Sequence, residues 1–199
     1  FTLLQHLIHR VGRLRTRLIH AGVSSLVRFG PVINAAQRDR VESYNAMVRA
    51  DADAKVIWDQ DGIHGRMQRP GYFLRPFVYK TEWRDKKYLK EEVFGPHVAL
   101  VPFDGLYDAV RIYNDTDYGL ALGVVTNDFR KMRAIRETCD AGMIYFNLGS
   151  IGAESHLPFS GVKCSGYGGG SAAGTFDAVT HKISVTVNHG GLSFPQGLK

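Results

Sequence analysis

The chain has 199 residues, of which 44% are hydrophobic and 22% are charged, a composition typical of a globular protein and not of a disordered one. No apolar run approaches the roughly 18 residues of a membrane-spanning helix, and no secretory signal is recognisable at the start of the sequence. The two cysteines, Cys139 and Cys164, match neither a disulfide framework nor a metal-ligand spacing, which favours a reducing and therefore cytoplasmic location.

The net charge of +6 is concentrated near the start of the chain. Residues 1–30 contain five arginines and no acidic residue, and residues 1–20 have the periodicity of an amphipathic helix. This pattern indicates a helix that packs against the rest of the protein. A module that binds nucleic acid or an anionic membrane through this helix is the alternative, but no matching basic face follows, so we expect neither partner.

The next part of the chain predicts one helix and two short extended segments. Residues 35–53 have a helical apolar stripe, and Asn34 is placed to cap the helix. Residues 56–58 predict a short strand. Residues 72–79 predict an extended segment that Pro76 interrupts, which suits an edge strand or a bulge.

Residues 91–96, which read Glu-Glu-Val-Phe-Gly-Pro, lie just before an apolar run. A carboxylate at such a strand entry can accept two hydroxyl hydrogen bonds, as the diol of a ribose offers. An aromatic ring two residues further along an extended segment faces the same side and can press on the same ligand. Glu92 and Phe94 are therefore candidates for a cofactor site, although two glutamates before a strand can also be only a solvated edge.

From residue 97 onward, strands and helices alternate. We predict a buried strand over 98–103 and two further strands over 120–125 and 143–146, with helices over 106–113 and 129–139 between them. Such alternation with short connections predicts an α/β fold, an open parallel sheet with helices on both faces. Ligands of these sheets bind beyond the carboxyl ends of the strands, which directs attention to the loop that begins at Asn147.

The last part of the chain is rich in glycine and serine between residues 149 and 174, and long loops of this kind are often functional. Residues 182–188 then alternate, with Ile183, Val185 and Val187 on one face. This pattern predicts a half-exposed strand.

Three motifs follow one another in the chain: residues 91–96, residues 114–120 (Asn-Asp-Thr-Asp-Tyr-Gly-Leu) and residues 158–166 (Pro-Phe-Ser-Gly-Val-Lys-Cys-Ser-Gly). Their order closely resembles the C-terminal part of the NAD(P)-dependent aldehyde dehydrogenases, over about residues 30–187. Within that superfamily, Gly-Ala-Glu at 152–154 most resembles the semialdehyde-oxidising branch, which includes aminoadipic semialdehyde dehydrogenases.

The resemblance implies roles for particular residues. Glu92 would bind the ribose on the nicotinamide side of NAD or NADP, and Phe94 would contact the nicotinamide. An aldehyde would be bound by the residues that line the substrate tunnel, which are Asn147, Gly152, Ala153, Glu154 and Phe159. Phe159 could instead be a core residue and the glycines simple turn residues. Because the family usually has Phe-Gly-Gly where this chain has Phe-Ser-Gly, a close backbone approach at Ser160 is in doubt.

The resemblance also implies that residues 1–180 are a partial catalytic domain and residues 181–199 an oligomerisation strand with a tail. Ile183, Val185 and Val187 would then contact another copy in a homo-oligomer. The nucleophilic cysteine, the general base and the cofactor domain of the family would precede residue 1, so no catalytic residue and no metal ligand is assigned here. We expect Cys139 on an interior helix face, and the isolated chain to oxidise no aldehyde. A catalytically inactive remnant with a structural or binding role is the alternative.

Overall fold

The computed structural model describes residues 30–59, 71–152, 154–166, 171–187 and 189–190. The predicted helix over residues 1–20 lies outside these described residues. The chain divides into two compact units, Phe1–Ile112 and Tyr113–Lys199. The boundary at residue 180 that the family resemblance implies stays a prediction.

Helices and short strands alternate along the described chain. The helices are α1 (Ala35–Ala50), α2 (Lys87–Lys90), α3 (Gly105–Asn114), α4 (Phe129–Thr138) and α5 (Thr175–Val179). The strands are β1 (Lys55–Trp58), β2 (Phe77–Lys80), β3 (His97–Leu100), β4 (Tyr118–Gly119), β5 (Ala121–Val124), β6 (Met143–Phe146), β7 (Pro158–Phe159), β8 (Val162–Lys163) and β9 (Ser171–Ala172). None of the described helices is long and apolar enough to cross a membrane.

The first unit is built on a three-stranded sheet in the order β1–β2–β3. Strand β2 is antiparallel to β1 and parallel to β3. Helix α1 begins as predicted, since the Asn34 side chain accepts a hydrogen bond of 2.8 Å from the Gln37 N–H. One face of α1 packs on the sheet and forms the core of this unit, whose largest fully buried side chains are Tyr79, Phe77, Val41 and Val48.

The prediction that Pro76 marks an edge strand or a bulge is wrong. Strand β2 begins at the next residue and lies in the centre of its sheet. Because the proline precedes the strand, its missing N–H removes no hydrogen bond from the ladder. The Phe77 N–H donates to the Pro96 carbonyl at 2.8 Å, which extends the contact between the two strand entries.

In the second unit, β5 pairs in parallel with β6, from Ala121 opposite Met143 to Val124 opposite Phe146. Helix α4 connects these two strands, so the predicted parallel strand–helix–strand arrangement is confirmed here. Two small antiparallel pairs, β4 with β8 and β7 with β9, complete the unit. The α/β fold class is confirmed, with its parallel strands in small sheets.

Three local predictions are wrong. Strand β3 ends at Leu100 and is not a buried run to residue 103, since Val98 is 41% and Phe103 63% exposed; β3 is an edge strand, and Phe103 lies beyond it. Cys139 is not on an interior helix face but forms the C-terminal cap of α4. No strand is assigned to residues 182–187, because a strand is defined by a hydrogen-bonded neighbour and the described chain places none beside them.

Candidate functional site

The segment from residue 91 to residue 96 leaves the end of α2 and alternates in its contacts. The Glu91 carboxylate accepts a hydrogen bond from the Tyr44 hydroxyl, and Val93 is buried in the core of the first unit. Glu92 is exposed, and Phe94 is 72% exposed. The two residues predicted to contact the cofactor, Glu92 and Phe94, are therefore both exposed, and so is Glu91, whose carboxylate is bonded to Tyr44.

Helix α1 holds the backbone of this segment at three successive carbonyl groups. The Arg40 guanidinium donates to the Glu92 carbonyl at 2.9 Å. The Gln37 side-chain amide donates to the carbonyls of Val93 and Phe94, at 2.9 and 3.0 Å. These hydrogen bonds fix the main chain from which the Glu92 and Phe94 side chains project.

The backbone of the segment also approaches α1 closely at Gly95. A Cβ atom at Gly95 would lie 2.5 Å from Cγ2 of Val41, so the approach requires glycine. Phe94, just before it, has a φ of 55°, a left-handed conformation that is uncommon for an aromatic residue. Such a conformation persists only where its surroundings enforce it, and the bonds from Gln37 and the contact at Gly95 do so here.

A buried polar network lies directly after the segment. Nδ1 of His97 is 2.9 Å from Oδ1 of Asn45, and Nε2 of His97 is 3.1 Å from the Tyr79 hydroxyl. Burial lowers the pKa of His97 and raises the pKa of Tyr79, so both groups are uncharged at neutral pH. This neutral network anchors the entry of β3 against α1 and β2.

Next to α2, hydrogen bonding and burial shift the pKa values of Asp51 and Tyr88 in opposite directions. The Tyr88 hydroxyl donates to Oδ2 of Asp51 at 2.8 Å. The backbone N–H of Asp53, together with Tyr88 and Lys86, lowers the pKa of Asp51 to about 2. Burial, followed by the bond to Asp51, raises the pKa of Tyr88 to about 12. The pair therefore fastens α2, from which the 91–96 segment emerges, to the end of α1.

The second and third sequence motifs meet in the second unit. Strand β4 pairs with β8, and the Cys164 N–H donates to the Asp117 carbonyl at 2.9 Å. The Lys163 ammonium donates to the carbonyls of Asn114 and Thr116, at 2.7 and 3.1 Å. Residues 114–120 and 158–166, which are distant in sequence, thus form one hydrogen-bonded assembly.

The predicted tunnel residues follow the carboxyl end of β6. The Asn147 side chain both accepts from the Thr126 N–H and donates to the Thr126 carbonyl, each at 3.0 Å. Asn147 has a φ of 58°, and this pair of bonds explains how a non-glycine residue holds that conformation. Its amide therefore bridges two loops and fixes the backbone where the strand ends.

The other predicted tunnel residues are placed by their backbone surroundings. Gly152 has a φ of 102°, which favours glycine, and its carbonyl accepts a hydrogen bond of 2.6 Å from the Tyr145 hydroxyl. Glu154 is exposed, and Ala153 lies outside the described residues. Phe159 is 39% exposed in β7, opposite Ser171 of β9.

The Ser160 carbonyl group approaches the backbone at Gly142 very closely. A Cβ atom at Gly142 would lie 1.8 Å from the Ser160 carbonyl oxygen. The glycine that this approach requires is thus on the opposite side of the contact, at the start of β6. Sequence reasoning missed Gly142, although its position directly before a strand is a signal for a tight contact.

Among the described residues, no cluster of histidine, cysteine and acidic side chains could hold a metal ion. Cys139 and Cys164 are free thiols, and burial raises the pKa of Cys139, which opposes a nucleophilic role for it. The side chains at the site that sequence reasoning missed are those of Gln37, Arg40 and Tyr145. Each acts on a backbone carbonyl, for which side-chain patterns give no signal.

The model of the aldehyde dehydrogenase family matches residues 3–185 of the chain. The chain belongs to this family. The family resemblance that rested on three short motifs is thereby confirmed over residues 3–185, whereas the C-terminal position and the semialdehyde branch stay predictions.

Two curated relatives illustrate the breadth of the match. The 2-aminomuconic semialdehyde dehydrogenase of Homo sapiens is 32% identical over 182 residues, which are 87% of this chain and 36% of that protein. The succinate-semialdehyde dehydrogenase of Paenarthrobacter nicotinovorans is 34% identical over 152 residues, which are 75% of this chain and 32% of that protein. The chain thus spans about a third of the length of these aldehyde dehydrogenases.

Solved structures agree with this assignment. A crystal structure described as an aldehyde dehydrogenase from Burkholderia cenocepacia has a TM-score of 0.82 and 28% identity, over 98% of this chain and 40% of that one. A betaine aldehyde dehydrogenase from Staphylococcus aureus, crystallised with NAD+, has a TM-score of 0.69 and 27% identity, over 81% of this chain and 32% of that one. The chain therefore shares its fold with part of these aldehyde dehydrogenases.

Proposed function

We propose that this chain is the C-terminal catalytic-domain portion of an NAD(P)-dependent aldehyde dehydrogenase, which oxidises a semialdehyde to a carboxylic acid in the cytoplasm. The observation that carries the proposal is the 91–96 segment, where α1 fixes three backbone carbonyls and leaves the Glu92 and Phe94 side chains exposed. A rigid backbone that presents a carboxylate and an aromatic ring is what binding of a nucleotide sugar and its base requires.

The residues present fit a nicotinamide cofactor. Each oxygen of the Glu92 carboxylate can accept a hydrogen bond, so this side chain can hold two adjacent ribose hydroxyls. The exposed Phe94 ring offers an apolar face to the nicotinamide. When bound, the cofactor would accept the hydride that leaves the aldehyde carbon.

The loop after β6 is proposed to bind the aldehyde. The proposed binding residues in this loop are Asn147, Gly152, Ala153 and Glu154, and Phe159 of β7 is proposed to complete the site. Small residues at 152 and 153 leave room for backbone N–H groups to hold a substrate carboxylate. Semialdehyde dehydrogenases among the relatives support this choice of substrate class.

A homo-oligomer is proposed through residues 183–187. Ile183, Val185 and Val187 are 82%, 73% and 64% exposed, and they alternate with polar residues. An apolar strand of this pattern would gain hydrogen bonds and cover its side chains by pairing with a second copy. Sedimentation of the native protein before and after Val185→Lys tests this: dissociation to a smaller species is expected, and an unchanged mass would contradict it.

The cofactor site is tested by Glu92→Gln in the native protein that contains this chain. A neutral amide accepts ribose hydrogen bonds more weakly than a carboxylate, so we expect the KM for NAD(P) to rise about tenfold, corresponding to about 1.4 kcal/mol. The matched control is Glu137→Gln, because Glu137 is an exposed glutamate that pairs with Arg133 on α4. An equal effect of both substitutions, or no effect of Glu92→Gln, would contradict the assigned role.

A further inference from the structure

We infer that Tyr145 is a positioning residue for the aldehyde, which acts by fixing the far end of the loop that follows β6. This inference rests on the proposed function, because it requires that the loop bind substrate. It adds a residue of β6 to the site, and it assigns the Tyr145 hydroxyl a task that neither the family motifs nor the side-chain pattern indicate.

The geometry of Tyr145 supports this role. Its hydroxyl donates a hydrogen bond of 2.6 Å to the Gly152 carbonyl, seven residues further along the chain. Its ring is partly buried in the paired strands β5 and β6, so the hydroxyl is attached to a regular element of the fold. A site group held by such an element is positioned more precisely than one held by a loop alone.

The near end of the same loop is fixed independently. The Asn147 N–H donates to the Val124 carbonyl at 2.7 Å, and the Asn147 side chain makes two further bonds to the backbone of Thr126. Residues 148–151 are therefore suspended between two anchored points. Leu148 and Ile151 on this span are 69% and 96% exposed, so their packing contributes little to holding it.

Loss of the Tyr145 hydroxyl would release one anchor and leave the other in place. The Gly152 backbone, which has a φ of 102°, would then be free to relax toward other conformations. Displacement of a binding group by about 1 Å can cost up to about a hundredfold in rate. Because only one end of the loop is released, we expect a smaller effect, a five- to tenfold rise in the KM for the aldehyde.

The first test is Tyr145→Phe in the native protein, which removes only the hydroxyl oxygen. We expect the KM for the aldehyde to rise about five- to tenfold and the KM for NAD(P) to stay within about twofold. We expect amide hydrogen exchange to accelerate in residues 147–152 and to be unchanged in β5. Tyr107→Phe is the matched control, because Tyr107 is 85% exposed on α3, and it should change none of these quantities.

Gly152→Ala provides a second test from the other side of the contact. An added Cβ meets no protein atom within 4 Å, so in the free protein the substitution acts through the backbone φ of 102°, which an alanine rarely adopts. Because Gly152 is itself a proposed substrate-binding residue, the readout is the free protein, in which the same acceleration of amide hydrogen exchange in residues 147–152 is expected and unchanged exchange would contradict the anchoring of this loop at Gly152.

The outcomes separate this inference from the proposed function. Absence of NAD(P)-linked aldehyde oxidation by the unsubstituted native protein contradicts the proposed function and this role together. Normal oxidation with an unchanged KM for the aldehyde in Tyr145→Phe contradicts only the role of Tyr145. A rise in the KM for NAD(P) as large as that for the aldehyde also contradicts it, because the effect would then not be specific to the loop.

Discussion

The hydrogen bonds by which α1 holds the 91–96 segment can be tested by replacing Gln37 with methionine. The substitution keeps the length of the side chain and removes both N–H donors, so the Val93 and Phe94 carbonyls lose their partners at 2.9 and 3.0 Å. A hydrogen bond contributes about 0.5–1.5 kcal/mol net. The Phe94 carbonyl can bond to water instead, so we expect a loss of about 1–2 kcal/mol in the free energy of unfolding.

Two measurements check this expectation. Equilibrium denaturation should show the lower stability, which for a chain of this size corresponds to a fall in Tm of roughly 2–8 °C. Amide hydrogen exchange should accelerate in residues 92–97 but not in β5. The control is Glu42→Met on the same helix, since that side chain is 49% exposed and its only described ion pair is at 3.7 Å to Arg49. If Gln37→Met leaves exchange at residues 92–97 unchanged, the segment is not held by α1.

Three further predictions concern the core, one backbone contact and the effect of pH. Phe77→Ala should lower the free energy of unfolding by about 3–5 kcal/mol, because Phe77 is 1% exposed. Phe103→Ala should lower it by less than about 1 kcal/mol, because Phe103 is 63% exposed. Denaturant titration of both variants compares the two losses. Gly142→Ala should lower the free energy of unfolding by about 3 kcal/mol or more, since its Cβ would lie 1.8 Å from the Ser160 carbonyl oxygen. Gly149→Ala should be tolerated, because its Cβ would have no atom within 4 Å. Equal Tm values for the two variants would contradict this. Burial lowers the pKa of His97 below 6.5, so the unfolded chain takes up its proton first and stability should fall as the pH drops below about 6.5. Tm measured from pH 8 to pH 5 should show this fall, and His97→Gln should reduce it; an identical pH dependence in the variant would refute the assignment.

Much of the fold follows from local sequence patterns. Helix α1 and its Asn34 cap, helices α3 and α4, and strand β6 all lie close to their predicted positions, because each combines a clear period with a start or stop signal. Strand β2 was harder to predict. Its central place in the sheet depends on pairing with β3, a contact between distant segments that no local pattern contains.

The candidate site was predicted in part. Glu92 and Phe94 are exposed, as a ligand site requires, but this does not follow from the alternation of an extended segment, since Glu91 is exposed too and Phe94 has a φ of 55°. The contribution of Gln37 and Arg40 does not follow from a local pattern either, since a polar residue on a helix surface has the same sequence pattern whether it bonds to water or to a distant carbonyl. Tyr145 was missed for a related reason. A tyrosine in a predicted strand is expected to pack in the core, and its hydroxyl reaches the Gly152 carbonyl only in the folded chain.

The strand predicted over residues 182–188 illustrates a different limit. Its alternating apolar side chains are exposed, and no strand is assigned to residues 182–187. Alternation predicts which residues share a face, but a strand also requires a neighbouring strand. In the proposed oligomer a second copy supplies that neighbouring strand, and Val185→Lys tests this.

The most direct test of the account is to measure the intact mass of the native protein and its NAD(P)-linked oxidation of a panel of semialdehydes, alongside the isolated 199-residue chain. We predict a native chain of more than twice this length that oxidises a semialdehyde, because this chain spans about a third of the length of its relatives, and no oxidation by the isolated chain, because no catalytic residue is assigned in it. A native chain of 199 residues without activity would contradict the account and favour an inactive structural or binding domain. Oxidation by the isolated chain would contradict the expectation that its catalytic groups lie elsewhere.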